Sequence, residues 1–244
     1  ANNRSYAWHI AKALADHGAT CAYTCLPGDK NQRRTRKAVD EIQSDAWVHP
    51  MDASSDADID AALDAYREKF DRIDFLIHSI AFADREFLAP GAFHTTTREA
   101  YLGAIDISAY TLIGLTRAAL PLMTSGGSVL AMSYYGAEKV VPGYNIMGVA
   151  KSALECTSRY LAAELGEKGV RVNTISGGYL RTLASSAVGG ADDIATHNLT
   201  RAPLKRNVEG DDVGKTAVYL VSDLSSGVTG ENVYVDCGVN TIGV

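Results

Sequence analysis

The stretch Asp74-Phe-Leu-Ile-His-Ser-Ile80 decides the fold. It is a nearly continuous apolar run of strand length. A strand with one wet face alternates apolar and polar residues, so a run without alternation is what burial on both faces requires. Strands of that kind belong to parallel sheets covered by helices on both sides. The segments before it alternate between strand-like and helix-like patterns. Ser5 to His17 carries Trp8, Ala11, Leu14 and Ala15 at helical spacing, and Gly18 closes it as a C-cap would. Ala19 to Thr24 reads as a short strand, and Pro27-Gly28-Asp29 breaks the chain. A helix bearing Lys30, Arg33, Arg34, Arg36 and Lys37 follows, then a short strand, Ala46 to Val48, leading to Asp52. Asp56 to Phe70 is an amphipathic helix. The pattern continues on the other side. Thr97 to Met123 is a long helical stretch, and Gly127 to Ser133 a strand. A helix from Tyr144 to Lys168, a strand from Val170 to Ser176, a helix from Gly210 to Ser222 and a strand from Asn232 to Val235 complete it.

This alternation predicts an α/β fold: a doubly wound parallel sheet in three αβα layers. The 244 residues, without a composition break, repeat or low-complexity tract, are read as one domain, residues 1–244. Hydrophobic residues make up 46% and charged residues 21%, enough apolar material for a sizeable core. The net charge of -6 argues against a general nucleic-acid binder. No apolar run reaches the roughly 18 residues that span a bilayer, and no charged-then-apolar leader is visible, so no membrane partner and a cytoplasmic location are expected. Cys21, Cys25, Cys156 and Cys237 form no Cys-x-x-Cys pair, and His-Glu-x-x-His is absent; reduced thiols and no metal are expected. The least regular segment, 177–203, contains Gly177, Gly178, Gly189 and Gly190 and is a candidate substrate lid. Doubly wound dinucleotide folds begin with a central strand and a glycine turn. Ala1 stands just after where these belong, so the first strand is expected to be missing from an N-terminally incomplete chain.

Ligands of open α/β sheets bind outside the carboxyl ends of the strands. Those ends are Cys25-Leu26, Asp52-Ala53, Ser79-Ile80-Ala81, Ser133-Tyr134-Tyr135 and Gly177 to Thr182. The stretch Ser133 to Lys151 contains two competing Tyr/Lys pairs. Tyr135 and Lys139 have Tyr-x-x-x-Lys spacing, but Gly136 and Pro142 argue against a helix that would join them on one face. Tyr144 and Lys151 are seven apart, about 20° short of two full helical turns, and share a face if the helix starts by Tyr144. An ammonium there holds a sugar hydroxyl and favours phenolate character, while a phenol donates to an oxygen gaining charge. Spacing alone also permits a buried tyrosine and a solvated lysine.

Tyr134, Tyr144, Met147 and Lys151 as a set resemble the enoyl-[acyl-carrier-protein] reductases of bacterial fatty-acid synthesis, an atypical branch of the short-chain dehydrogenases. That branch has Tyr-x6-Lys with a further Tyr ten residues before the first. Met147 stands where the wider family has its catalytic tyrosine. The likeness extends to Ala1-Asn-Asn-Arg-Ser5 with Ile10-Ala11, His78-Ser-Ile-Ala-Phe-Ala83, Asp106-Ile-Ser108, Gly169-Val-Arg-Val-Asn173, Arg181-Thr-Leu-Ala184 and Val235-Asp236.

The resemblance implies roles. Tyr144 would donate to the thioester carbonyl, where charge develops as hydride reaches the β-carbon of a trans-2-enoyl chain. Lys151 would bind the nicotinamide ribose and support Tyr144 electrostatically. Tyr134 would line the acyl pocket and assist proton delivery, with Met147 and the backbone of Ala83 also touching substrate. The cofactor would lie on Ser5 and Tyr6 at a helix N-terminus, on Leu26, on Asp52 and Ala53 around the adenine, on Ser79 and Ile80, and on Leu180, Thr182, Leu183 and Ala184. Read plainly, Ser5 is an N-cap and Asp52 a turn residue. The resemblance implies NADH as cofactor, an acyl-carrier protein as partner and a homotetramer.

The chain departs from the branch in places. Leu26 replaces a polar residue at the adenosine ribose, and no carboxylate ends the second strand, so the basic run Lys30 to Lys37 keeps NADP open. Gly177-Gly178-Tyr179 replaces Ala-Gly-Pro. Asp192 and Asp193 stand where basic residues would meet the carrier protein, leaving Arg201, Lys205 and Arg206 as substitutes. Two alternatives stay open: a ketone or alcohol dehydrogenase using Tyr135 and Lys139, and a catalytically silent nucleotide-binding scaffold.

Overall fold

The computed structural model describes residues 3–182 and 191–243. Helices and strands alternate: α1 (Tyr6–Asp16), β1 (Tyr23–Cys25), α2 (Asp29–Asp40), β2 (Val48–Pro50), α3 (Asp56–Arg67) and β3 (Phe75–His78). Then come α4 (Arg98–Ile105), α5 (Thr111–Ala119), β4 (Gly127–Ser133), α6 (Ile146–Leu165), β5 (Val170–Gly177), α7 (Ala191–Arg201), α8 (Gly210–Val221) and β6 (Asn232–Val235). Capping side chains set several helix starts. Ser5 accepts from the Trp8 N–H, Ser55 from Asp58 and Thr97 from Ala100, each satisfying a first-turn amide that the helix cannot.

Every strand pairing among the described residues is parallel. β3, β4, β5 and β6 lie side by side, with Ile77 opposite Leu130, Leu130 opposite Asn173 and Ile175 opposite Val233. β1 and β2 form a separate pair, with Tyr23 opposite Val48. Alternate residues of β4 show why the sheet is covered twice. Leu130 and Met132 pack with Ile10, Leu14, Val213 and Leu220 from α1 and α8. Val129 and Ala131 pack with Leu112, Leu154 and Val172 from α5, α6 and β5. Burying each large aliphatic side chain of this kind contributes about 1.5–3 kcal/mol before entropy is counted. The layers are helix, parallel sheet, helix.

Several expectations are corrected. β3, whose apolar run suggested burial on both faces, is covered on both, Phe75 and Ile77 against the cluster of α1 and α8 and Leu76 against that of α5 and α6, yet all three are only half-buried. The reason is that β3 bonds only to β4 among the described residues, and its other edge faces the slot toward β1. β4 and β5, with a strand on each side, are buried along nearly their whole length. The stretch read as one long helix, Thr97 to Met123, contains a π-helical turn, Asp106–Tyr110, between α4 and α5. The segment expected to be irregular, 177–203, contains α7, while its residues 183–190 lie outside the described residues. The helix predicted from Tyr144 starts at Ile146, because Asn145 has φ +42° and cannot join the helical ladder. Among the described residues, no helix is long and apolar enough to cross a membrane.

Candidate active site

The site grows from the carboxyl ends of β3, β4 and β5. β4 delivers Met132, Ser133 and Tyr134, and α6 returns across this end carrying Lys151. Two glycines permit the close approach. A Cβ on Gly148 would stand 2.6 Å from the Gly136 carbonyl oxygen, and a Cβ on Gly136 would run into the Tyr144 ring. Tyr144 therefore lies over the turn after β4, edge-on to Tyr134 with ring centroids 4.7 Å apart.

Lys151 is buried, and its Nζ donates to the Met132 carbonyl oxygen at 2.7 Å. An ammonium has three N–H donors, so further donors remain for an incoming ligand. Burial pushes its pKa down to about 8, and nearby Glu155 opposes that shift. Glu155 accepts from Ser133 Oγ and, at 3.2 Å, from Asn232 Nδ2; burial raises its own pKa. Tyr144 has no hydrogen-bond partner for its hydroxyl among the described residues. Its pKa is pushed up, first by burial and then by Tyr134 and Glu155. Burial thus favours the neutral phenol, which keeps its proton to donate. Burial likewise pushes Tyr134 up to about 12.

The opposite wall comes from the segment after β3. His78 is fully buried and held down to about 3, chiefly by burial and then by Lys151. Its Nε2 lies 2.8 Å from Thr111 Oγ1. Thr111 spends its hydroxyl proton on the Ile107 carbonyl at 2.7 Å, so a neutral His78 donates from Nε2. One turn away, Ser108 Oγ accepts from the Phe82 N–H at 3.0 Å and donates to the Phe82 carbonyl at 3.1 Å. The π-helical turn thus grips the loop leaving β3, in keeping with the frequent placement of such turns at functional sites.

A continuous cavity of about 1120 Å³ joins these groups and extends into the slot between β1 and β3, lined by Tyr23, Val39 and Phe75. It brings together Ser5, Tyr6, Ser79, Ile80 and Ala83 with Tyr134, Tyr144, Met147, Lys151, Leu180 and Thr182. Three expected cofactor residues stand outside its lining: Leu26, 58% exposed after β1, and Asp52 and Ala53 after β2. Asp52 accepts from the N–H and Oγ of Ser54, as a turn residue does. Leu183 and Ala184 lie outside the described residues. Tyr6 contributes more than a helix start: its hydroxyl donates to the Gly178 carbonyl at 2.6 Å, and its ring occupies the space a Cβ on Gly177 would need. The rival pair, Tyr135 and Lys139, does not line the cavity, and Tyr135 packs edge-on against Tyr234 instead. Of the basic residues offered to a carrier protein, Arg206 is paired in two contacts with Asp212, and Lys205 donates to the Thr200 carbonyl.

The groups present fit a nicotinamide dinucleotide. The first turn of α1 lines the cavity, and a helix N-terminus favours the pyrophosphate. Deeper in, a buried ammonium with unused donors suits a ribose diol. Sequence reasoning missed Asn145 and Glu155, and it named Ser108 and Gly136 without their roles here; the adjacency of Asn145 to Tyr144 was the available signal for Asn145.

A parallel α/β sheet with this cavity at its strand ends is the architecture of a dinucleotide-binding fold. The model of the enoyl-(acyl carrier protein) reductase family matches residues 1–240, and the chain belongs to that family. It is 48% identical to the NADH-dependent enoyl-[acyl-carrier-protein] reductase FabI of Synechocystis, covering 100% of this chain and 95% of the relative. It is likewise 48% identical to the NADH-dependent enoyl-[acyl-carrier-protein] reductase 1 of Rhizobium meliloti, covering 89% of that protein. A crystal structure of the Bacillus cereus enoyl-acyl carrier protein reductase with NADP+ and indole naphthyridinone superposes with TM-score 0.96 at 41% identity, over 100% of this chain and 95% of that one. An Anaplasma phagocytophilum reductase in complex with NAD gives TM-score 0.95 at 43% identity, over 100% and 92%.

Proposed function

We propose that this protein reduces the trans-2 double bond of enoyl thioesters carried on acyl-carrier protein, using NADH, in fatty acid biosynthesis. The observation that carries the chemistry is the Tyr144 hydroxyl, without a hydrogen-bond partner among the described residues, in the same cavity as Lys151 and the first turn of α1. When bound, NADH supplies the hydride for the β-carbon. The chain supplies the rest. Ser5, Tyr6, Ser79, Ile80, Leu180, Thr182 and Lys151 hold the dinucleotide. Tyr144 donates to the thioester carbonyl oxygen as it becomes an enolate, an interaction stronger in the transition state than in the ground state. Tyr134 and Met147 shape the acyl pocket beside it, with the Ala83 backbone across from them.

NADH as the preferred donor is supported by the names of the relatives. Self-association into a homotetramer belongs to the same reading, supported by exposed Tyr101, Leu102, Tyr110 and Ile113 along α4, the π-helical turn and α5. The unbridged cysteines suit the reducing cytoplasm. Initial rates of NADH and NADPH oxidation with one trans-2-enoyl thioester test the function. Turnover with NADH exceeding that with NADPH is expected; no turnover with either cofactor overturns it.

A further inference from the structure

Tyr144 stands on a turn, and the α6 ladder does not fix its direction. Its N–H donates to the Val141 carbonyl at 3.0 Å, and the Met147 N–H donates to its own carbonyl at 3.0 Å. Between Tyr144 and the first residue of α6 lies Asn145, with φ +42° and ψ −119°. Asparagine visits positive φ more readily than most residues, but this ψ lies outside the ordinary left-handed well. Such a backbone persists only where its surroundings over-determine it. Those surroundings are two carbonyl groups. Asn145 Nδ2 donates to Phe87 O at 2.7 Å and to Ala89 O at 2.8 Å, engaging both amide hydrogens. The acceptors belong to a separate segment: the 3-10 turn Arg85–Leu88 and the residue after it. Leu88 of that segment packs in one cluster with Ile146, Met147 and Tyr144, so the hydrogen bonds and the apolar contact act at the same place.

We infer that Asn145 is a positioning residue: its paired hydrogen bonds to Phe87 and Ala89 hold the strained turn that aims Tyr144 across the end of β4. This inference rests on the reading of Tyr144 as the donor to the substrate carbonyl. Asn145 itself lines no part of the cavity, so it acts through its neighbour.

The experiment is a double-mutant cycle on the full chain, reading kcat with a trans-2-enoyl thioester and the NADH dissociation constant by fluorescence. Asn145→Ala removes both donors and is expected to lower kcat about 10–100-fold through misplacement of the reacting group. NADH affinity should stay within about twofold, because the lost contacts lie away from Lys151 and α1. Asn145→Gly adopts the backbone freely without the anchors and should fall between wild type and Asn145→Ala. Asn145→Asp keeps the size but sets acceptors against two carbonyl oxygens, and should lose at least as much as Asn145→Ala. Adding Asn145→Ala to Tyr144→Phe should cost nothing more. Wild-type kcat in Asn145→Ala, or losses that multiply in the double variant, overturns the role of Asn145 and leaves that of Tyr144 standing. Wild-type kcat in Tyr144→Phe overturns the donor reading, and the role of Asn145 with it.

Discussion

Lys151 Nζ donates to the Met132 carbonyl oxygen at 2.7 Å, so the strand end pins the ammonium while leaving it further donors. Charged hydrogen bonds contribute about 1.5–3 kcal/mol each. Lys151→Ala should therefore weaken NADH binding about 10–100-fold in a fluorescence titration. Undiminished affinity would remove Lys151 from the cofactor site.

The same residue gives a pH dependence. Burial depresses its pKa to about 8 from an ordinary 10.5. Below about 8 the ammonium is present and holds the ribose; as pH rises through that value the proton leaves and the stronger, charged donor is lost. The KM for NADH should rise above that pH, with kcat less affected. For folding the sign is opposite. From about 8 up to 10.5 the unfolded chain binds the proton that the folded chain has released, so the Lys151 contribution to stability grows with pH. A flat KM profile from pH 7 to 9 would contradict the assignment.

Tyr6 and Gly177 are a matched pair. A Cβ at residue 177 would stand 3.0 Å from the Tyr6 ring. Gly177→Ala should cost about 1–3 kcal/mol by overpacking. That corresponds to a fall in Tm of roughly 2–12 °C for a chain of this size. In a Tyr6→Ala background, where the ring is gone, the same substitution should add no further loss. Equal penalties in both backgrounds would separate the two residues.

Ser108 serves both backbone groups of Phe82 with one hydroxyl. Ser108→Ala should speed amide hydrogen exchange at Phe82 about tenfold or more, since one buried bond contributes roughly 1 kcal/mol and the orphaned groups cost more. It should also raise the KM for the enoyl thioester, because Ala83 follows directly. Unchanged exchange at Phe82 would show that the loop is held elsewhere.

The central strands were legible because burial speaks through composition: β4 and β6 run as their residues suggested, Gly127–Ser133 and Asn232–Val235. β1 and β2, three residues each, were misplaced by one to four residues at their ends, since a short strand's limits depend on its partner's register. The cavity's main polar groups were legible through motif spacing, although the argument that Tyr144 shares a helix face with Lys151 fails at Asn145. What no local pattern reveals is a contact between distant segments. The grip of Ser108 on Phe82 spans 26 positions, and that of Tyr6 on Gly178 spans 172.

The central claim is that Tyr144 is the hydrogen-bond donor to the developing enolate. The direct measurement is kcat for Tyr144→Phe with a trans-2-enoyl thioester and NADH, beside the NADH dissociation constant of the same protein. Removing one such donor typically costs about 10²–10³ in rate. The account predicts a kcat loss of that order with NADH affinity unchanged; wild-type kcat in Tyr144→Phe would contradict it.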